Sequence, residues 1–281
     1  MKNRRLTQRH LVQFLQKLRL EEKSQNTLEK YKRDAIAFAR FIGTEELTKE
    51  RILDYKIDLQ RRGYAPRSIN SMLASINALL AALGWQDLKV KTIKIQRQIF
   101  CLEEKELTRA EYERLVRTAA ERKNGRLCLI IQTICGTGIR VSELAHITVE
   151  AAKRGEATVA CKGKTRSVFI VKELQNKLLR YAREQGIATG SIFVTRSGCP
   201  ISRTNVWRDM KSLCEQAEVD PGKVFPHNLR HLFARVFYGL EKDLAKLADI
   251  LGHSSIETTR IYIVSTGAEH RRSMEHMRLI S

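Results

Sequence analysis

A few side chains in this chain are of the types that handle phosphate chemistry, and their spacing sets them apart. Arg140 and Glu143 stand three apart in Gly136-Thr137-Gly138-Ile139-Arg140-Val141-Ser142-Glu143-Leu144. His227 and Arg230 stand three apart in His227-Asn228-Leu229-Arg230-His231. His253 precedes Tyr262 by nine positions in Leu251-Gly252-His253-Ser254-Ser255-Ile256-Glu257-Thr258-Thr259-Arg260-Ile261-Tyr262. Two lysines, Lys162 and Lys164, flank Gly163. Breaking a phosphodiester without a metal needs a nucleophile at phosphorus, cations on the non-bridging oxygens and an acid for the departing oxygen. Arginine suits the second task, because its planar fork binds two phosphate oxygens and stays charged. Tyrosine can supply the first only if cationic neighbours or a base offset a phenol pKa near 10.

Each of these residues also has a plainer reading. Arg140 follows Gly138 at an expected helix start, where backbone N–H groups favour an anion; alone it would be a surface arginine. Glu143 shares its helix face and can hold the guanidinium. His227 and Arg230 share a face of a helix whose apolar side is Leu229, Leu232, Phe233 and Val236, so they are expected to point to solvent or to a site. His231 also reads as a partly buried structural histidine. His227 and His231 have the i, i+4 spacing of a zinc helix, but Asn228 stands where a metalloprotease needs glutamate. Lys162-Gly163-Lys164-Thr165 lacks the earlier glycine of a phosphate-binding loop, since Thr158 is there. Gly136 and Gly138 are not followed by a third glycine; Val141 stands in its place. No nucleotide, cofactor or metal site is therefore expected.

The elements that must position these residues fall into two groups. Leu11, Phe14, Leu15 and Leu18 mark one helix face; Leu28, Tyr31, Ala35, Phe38 and Ile42 mark a second, ended by Gly43. Thr48 caps a third that presents Ile52, Tyr55 and Leu59 and stops at Gly63. Pro66 opens a fourth with a long stripe from Ile69 to Leu83. Four helices with short connections make a small bundle over residues 1–87. Residues 88–106 lose the helical period and read as an extended basic linker, with an edge strand as the alternative. A capping box of Thr108 and Glu111 opens a domain over 107–281. There, Leu127–Cys135 reads as a buried helix broken by Gly136 and Gly138, and 157–171 as a hairpin turning at 162–164. Helices follow. Gly252 ends one, and Ser254 with Glu257 forms a capping box for the helix that carries Tyr262. The fold class is thus mainly α with a small β-sheet.

The chain has 281 residues and a formal net charge of +20, from 51 Lys and Arg against 31 Asp and Glu. That imbalance points to a polyanionic partner. No apolar run of membrane-spanning length and no signal peptide is seen, which suggests a cytoplasmic protein. The six cysteines lack C-x-x-C spacing and read as reduced, mostly buried thiols.

Taken together, the three motifs, in this order and spacing, resemble the tyrosine recombinases, the phage-integrase and Xer-type family of DNA strand-exchange enzymes. The resemblance is specific over about residues 107–270 and weaker before. It implies a four-helix core-binding (SAM-like) domain followed by a mixed, mostly helical catalytic domain. It further implies Arg140, Lys162, His227, Arg230, His253 and Tyr262 as catalytic residues, with Glu143 in support. Tyr262 would form a 3′-phosphotyrosine and Lys162 would act as general acid, with Lys164 the alternative because the turn is about one residue short. Neither ATP nor metal would be needed. The partner implied is double-stranded DNA with inverted-repeat core sites, bound by a homotetramer on two sites that is a monomer or weak dimer when free. The segment Thr148 to Ala152 lacks the aspartate frequent in the family. The chain begins almost directly with the core-binding helices, which suggests simple core sites. Met274, Met277 and Ile280 mark a short C-terminal helix that the resemblance would dock on a neighbouring protomer. Two other readings stay open: a non-catalytic DNA-binding or architectural protein on this fold, which covalent trapping would separate, and a relaxing topoisomerase.

Overall fold

The computed structural model describes residues 4–95, 105–161, 164–253, 255–261 and 275–277, the side chains of Cys161 and Lys164 apart. The chain divides into two compact units, 1–97 and 98–281. Among the described residues no helix is long and apolar enough to cross a membrane.

The first unit is the expected bundle: α1 (Gln8–Leu20), α2 (Gln25–Ile42), α3 (Lys49–Arg61) and α4 (Pro66–Ala82). Thr7, Ser24 and Thr48 cap the first three, and Pro66 sits at the start of the fourth. Phe14, Phe38, Ile52, Leu73, Ile76 and Leu79 meet in its core. Leu11, Leu15 and Tyr31 flank that core rather than fill it. Asp34 is buried among these side chains and receives Lys30 Nζ and Ser75 Oγ, each at 2.8 Å. The stretch after the bundle forms no strand among the described residues. Asn70 and Asn77 lie two turns apart on α4, so their amides share a face. Asn77 exchanges two hydrogen bonds with the backbone of Val90, at 2.9 and 3.1 Å, and Asn70 does the same with Ile93, at 2.9 and 2.7 Å. Side-chain amides thus do for this segment what a ladder partner would do for an edge strand.

The second unit opens with α5 (Arg109–Glu121), whose Thr108–Glu111 capping box is formed as expected. α6 (Gly125–Thr137) is longer than expected: it runs through Gly136 and stops only at Gly138, whose φ is +63°. A six-residue 3-10 helix (Val141–His146) and α7 (Val149–Arg154) lead into the hairpin β1 (Glu156–Cys161) and β2 (Lys164–Phe169). β1 starts slightly earlier than the sequence suggests and ends as expected at Cys161, whereas β2 lies two to three residues earlier, because Glu156 already pairs Phe169 and Cys161 pairs Lys164. Lys162 and Gly163 fall between the last pair and outside the described residues. Then follow α8 (Lys172–Glu184), α9 (Arg203–Lys211), α10 (Pro226–Glu241), α11 (Leu244–Leu251) and α12 (Ile256–Arg260). The mainly α fold class with one small antiparallel sheet is borne out.

Three local expectations are corrected. Val236 is 45% exposed, so the apolar face of α10 is carried by Leu229, Leu232 and Ala234. The cap of α12 is Ser255, whose hydroxyl receives the Glu257 N–H, and not Ser254. Of the described cysteines, only Cys214 is buried, Cys128 and Cys135 are partly covered and Cys199 is exposed. The expected C-terminal helix lies outside the described residues except for 275–277.

Candidate active site

The site is organised by the end of a helix. The last carbonyls of an α-helix have no intrahelical partner and carry the negative end of its dipole. At the end of α11, three successive carbonyls each receive an arginine. Arg166 Nη1 reaches Ile250 O at 2.9 Å, Arg230 Nη2 reaches Leu251 O at 2.7 Å, and Arg140 Nη2 reaches Gly252 O at 3.3 Å. These arginines come from β2, from α10 and from the turn after α6. One helix terminus therefore gathers three guanidiniums that are far apart in sequence.

Arg140 is the N-cap of the 3-10 helix rather than the first turn of an α-helix. Its own N–H is taken by Glu143 Oε2 at 2.9 Å, while Oε1 holds Arg140 Nη1 at 2.9 Å. The expected contribution of free helix N–H groups to anion binding is thus replaced by a carboxylate that aims the guanidinium. Arg140's side chain is 32% exposed and Glu143's 6%, so the arginine keeps access to solvent while its partner is enclosed. Burial by itself raises the Glu143 carboxyl. Hydrogen bonds from the Arg140 backbone and guanidinium and the charges of Arg166 and Arg140 outweigh that, and it titrates below the usual carboxylate range.

Arg230 departs from the simple face argument. It is 1% exposed, on the interior side of α10, where a charged group is tolerated only with partners. It donates to Gly138 O and Leu251 O, and its Nη2 lies 3.0 Å from His253 Nε2. Arg230 therefore joins the Gly138–Arg140 turn to the Gly252–His253 turn. Guanidinium only donates, so His253 Nε2 is the acceptor; Nδ1 then carries the proton and donates to Thr259 Oγ1 at 2.8 Å. Desolvation first, then the charges of Arg230, Arg140, Arg166 and His227, bring His253 down to about 4, so it is neutral near pH 7. Thr259 is fully buried on α12, which makes this bond the hinge between His253 and the segment leading to Tyr262.

His227 lies at the outer start of α10, its ring 4.9 Å from that of His231. Desolvation and the charges of Arg230, Arg140 and Arg203 lower its pKa. Desolvation, then His227 and Arg230, lower His231 to about 4. The structure thus brings Arg140, Glu143, His227, Arg230 and His253 together. Lys162 and Tyr262 lie outside the described residues.

Arg166 and Thr259 were missed by sequence reasoning. A signal existed for Arg166: strand alternation places it with Val168, and it pairs with Val159, both buried. An arginine on the inward face of a hairpin needs a partner, and here that partner is Glu143 at 2.6 Å.

A glycine makes the approach possible at the end of α11, and a second glycine elsewhere serves as its control. Gly252 has φ +64°, and a Cβ there would come within 2.2 Å of Arg166 Cδ. Gly186, at φ +68°, has open space around it. Gly186→Ala should cost about 1–2 kcal/mol of stability, from backbone strain alone. Gly252→Ala should cost more and also slow the DNA cleavage that the sequence resemblance implies, because Arg166 must move. Denaturant melts and cleavage rates of the two variants check this; equal effects would remove the close-packing argument.

A profile described as "Phage integrase family" matches residues 105–269, and one described as "Phage integrase, N-terminal SAM-like domain" matches residues 11–87. Tyrosine recombinase XerA of Pyrococcus furiosus is 29% identical over 291 residues, with 100% of this chain and 98% of the relative covered. Tyrosine recombinase XerD of Halalkalibacterium halodurans is 28% identical, with 95% and 96% covered. Among solved structures, a lambda integrase dimer bound to a COC′ core site shares the fold with a TM-score of 0.75 at 18% identity, covering 92% of this chain and 95% of that one. The Tn1549 transposon integrase in complex with transposon right end DNA does so with a TM-score of 0.73 at 16% identity, covering 96% and 99%. Helical bundle, hairpin and the helix end that gathers three arginines together with these matches lead to one conclusion: the chain belongs to the phage integrase family, and it is a site-specific tyrosine recombinase that cleaves and rejoins DNA.

Proposed function

We propose that Tyr262 attacks a phosphodiester of double-stranded DNA to form a 3′-phosphotyrosine, while Arg140 and Arg230 neutralise the non-bridging oxygens. The observation that carries this reading is the gathering of guanidiniums at the end of α11, against a single buried carboxylate. The cluster keeps an excess of positive charge in a partly enclosed setting, where an incoming phosphate is worth more than in water. His227 and His253 add hydrogen-bonding groups. Tyr262 gives up its phenol proton to solvent, its oxygen–phosphorus bond forms as the phosphorus–O5′ bond breaks, and Lys162 gives its proton to the leaving O5′. A 5′-hydroxyl from a partner duplex then attacks the phosphotyrosine and releases the enzyme. The bond energy is kept in the phosphotyrosine, so the cycle requires no ATP, cofactor or metal.

In this reading residues 1–87 are the core-binding domain, 88–106 the linker and 107–281 the catalytic domain. The protein acts in the cytoplasm on core sites with inverted repeats, as a homotetramer across two sites, and is a monomer or weak dimer when free. Its net charge of +20 supports a nucleic-acid partner.

The reading is tested by incubating the protein with a nicked duplex that carries its core site, in EDTA. A denaturant-stable protein–DNA adduct should form at full rate without added metal. Binding should weaken steeply with salt, by a slope of about −0.9 per phosphate neutralised. Loss of the adduct in EDTA, with recovery on adding magnesium, would overturn the metal-free mechanism.

A further inference from the structure

Arg166 is a member of the guanidinium cluster with no role assigned in the reaction, yet it touches Glu143, Ile250 O and Gly252. It sits on the buried face of β2, its side chain 11% exposed. One nitrogen reaches Glu143 Oε2 at 2.6 Å and the other Ile250 O at 2.9 Å. Its stem packs against the Cα of Gly252. A single guanidinium thereby links the hairpin that carries Lys162, the carboxylate that aims Arg140, and the helix end that precedes His253 and Tyr262.

We propose that Arg166 is a positioning residue that sets Arg140 for the scissile phosphate by sharing Glu143 with it. A carboxylate with only Arg140 as partner would draw that guanidinium into a closed, two-pronged ion pair. With Arg166 and the Arg140 backbone N–H both on Oε2, Arg140 holds Oε1 through one guanidinium nitrogen and turns its other edge toward the helix end and solvent. The same bond, continued to Ile250 O, fixes the distance between Glu143 and the end of α11. Lysine cannot replace it, because one ammonium lacks the planar fork that spans both acceptors.

The proposal rests on Arg140 being a phosphate ligand, and the test separates the two ideas. Single-turnover cleavage is measured on saturating core-site duplex for Arg166→Lys, Arg166→Ala, Glu143→Gln, Arg140→Ala and the Arg166→Lys/Glu143→Gln pair, alongside DNA affinity and thermal melting. Arg166→Lys keeps the charge and most of the stem, so it carries the test should Arg166→Ala unfold. It should bind DNA as the parent does and stay folded, yet cleave about 10²-fold more slowly, the effect of a misplacement near 1 Å. The double variant should be no slower than the slower single, because both break one link. Parental cleavage by Arg166→Lys, or additive losses in the pair, would overturn the positioning role. So would a rate loss matched by equal loss of folded protein, which would make Arg166 a scaffold residue. If Arg140→Ala cleaves normally, the phosphate-ligand reading itself fails.

Discussion

Tyr262→Phe should abolish the covalent protein–DNA adduct while leaving DNA affinity unchanged. The substitution removes one oxygen, the atom that would bond to phosphorus, and keeps the ring. The expectation rests on the spacing of Tyr262 from His253 and on the burial of three other tyrosines. His253 is tied to α12 through Thr259, and α12 ends at Arg260, two residues before Tyr262. Burial raises the phenols of Tyr55, to about 12, and of Tyr112 and Tyr181, which makes each a poor nucleophile at neutral pH. Denaturing gels of a reaction on nicked duplex give the answer. An adduct that persists in Tyr262→Phe would assign the reaction to another tyrosine.

Lys162→Ala should slow cleavage by roughly 10²–10⁴-fold, the usual contribution of a positioned proton donor. Lysine titrates near 10.4 in water, and neighbouring cations lower that toward neutral pH. A substrate with sulfur at the bridging 5′ position isolates this step, since a thiolate leaves without a proton. It should restore cleavage to Lys162→Ala and not to Arg140→Ala, whose loss lies on the non-bridging oxygens. Arg140 is the better comparison than Arg230. Removing the buried Arg230 would strand the carbonyls of Gly138 and Leu251 and cost several kcal/mol of stability besides its chemistry. Rescue of Lys164→Ala by sulfur, with Lys162→Ala still slow, would move the acid two residues along.

Much of the frame was legible in the chain because it is local. Apolar spacing at three and four residues marked α1 to α4, and Thr48, Pro66, Thr108 and Gly252 marked their own boundaries through caps and backbone angles. The R-x-x-E pairing of Arg140 with Glu143 was legible for the same reason, since both partners lie within one turn. The boundaries that slipped were those where neighbours compete: Gly136 stays helical because α6 is buried on most sides, and Ser255 rather than Ser254 takes the cap of α12.

The sequence by itself determined the chemical inventory: which cations, histidines and tyrosine exist, and on which elements. Only the tertiary structure decided how they meet. Arg230 was expected at a surface or a cleft and is enclosed, because its acceptors are carbonyls 92 and 21 residues away. Arg166 and Arg140 reach the same helix end from 84 and 112 residues away. A backbone carbonyl is present at every position, so no residue type announces which ones will be left bare. That depends on where α11 stops and what packs across its end, and it is this terminus that turns three scattered arginines into one site.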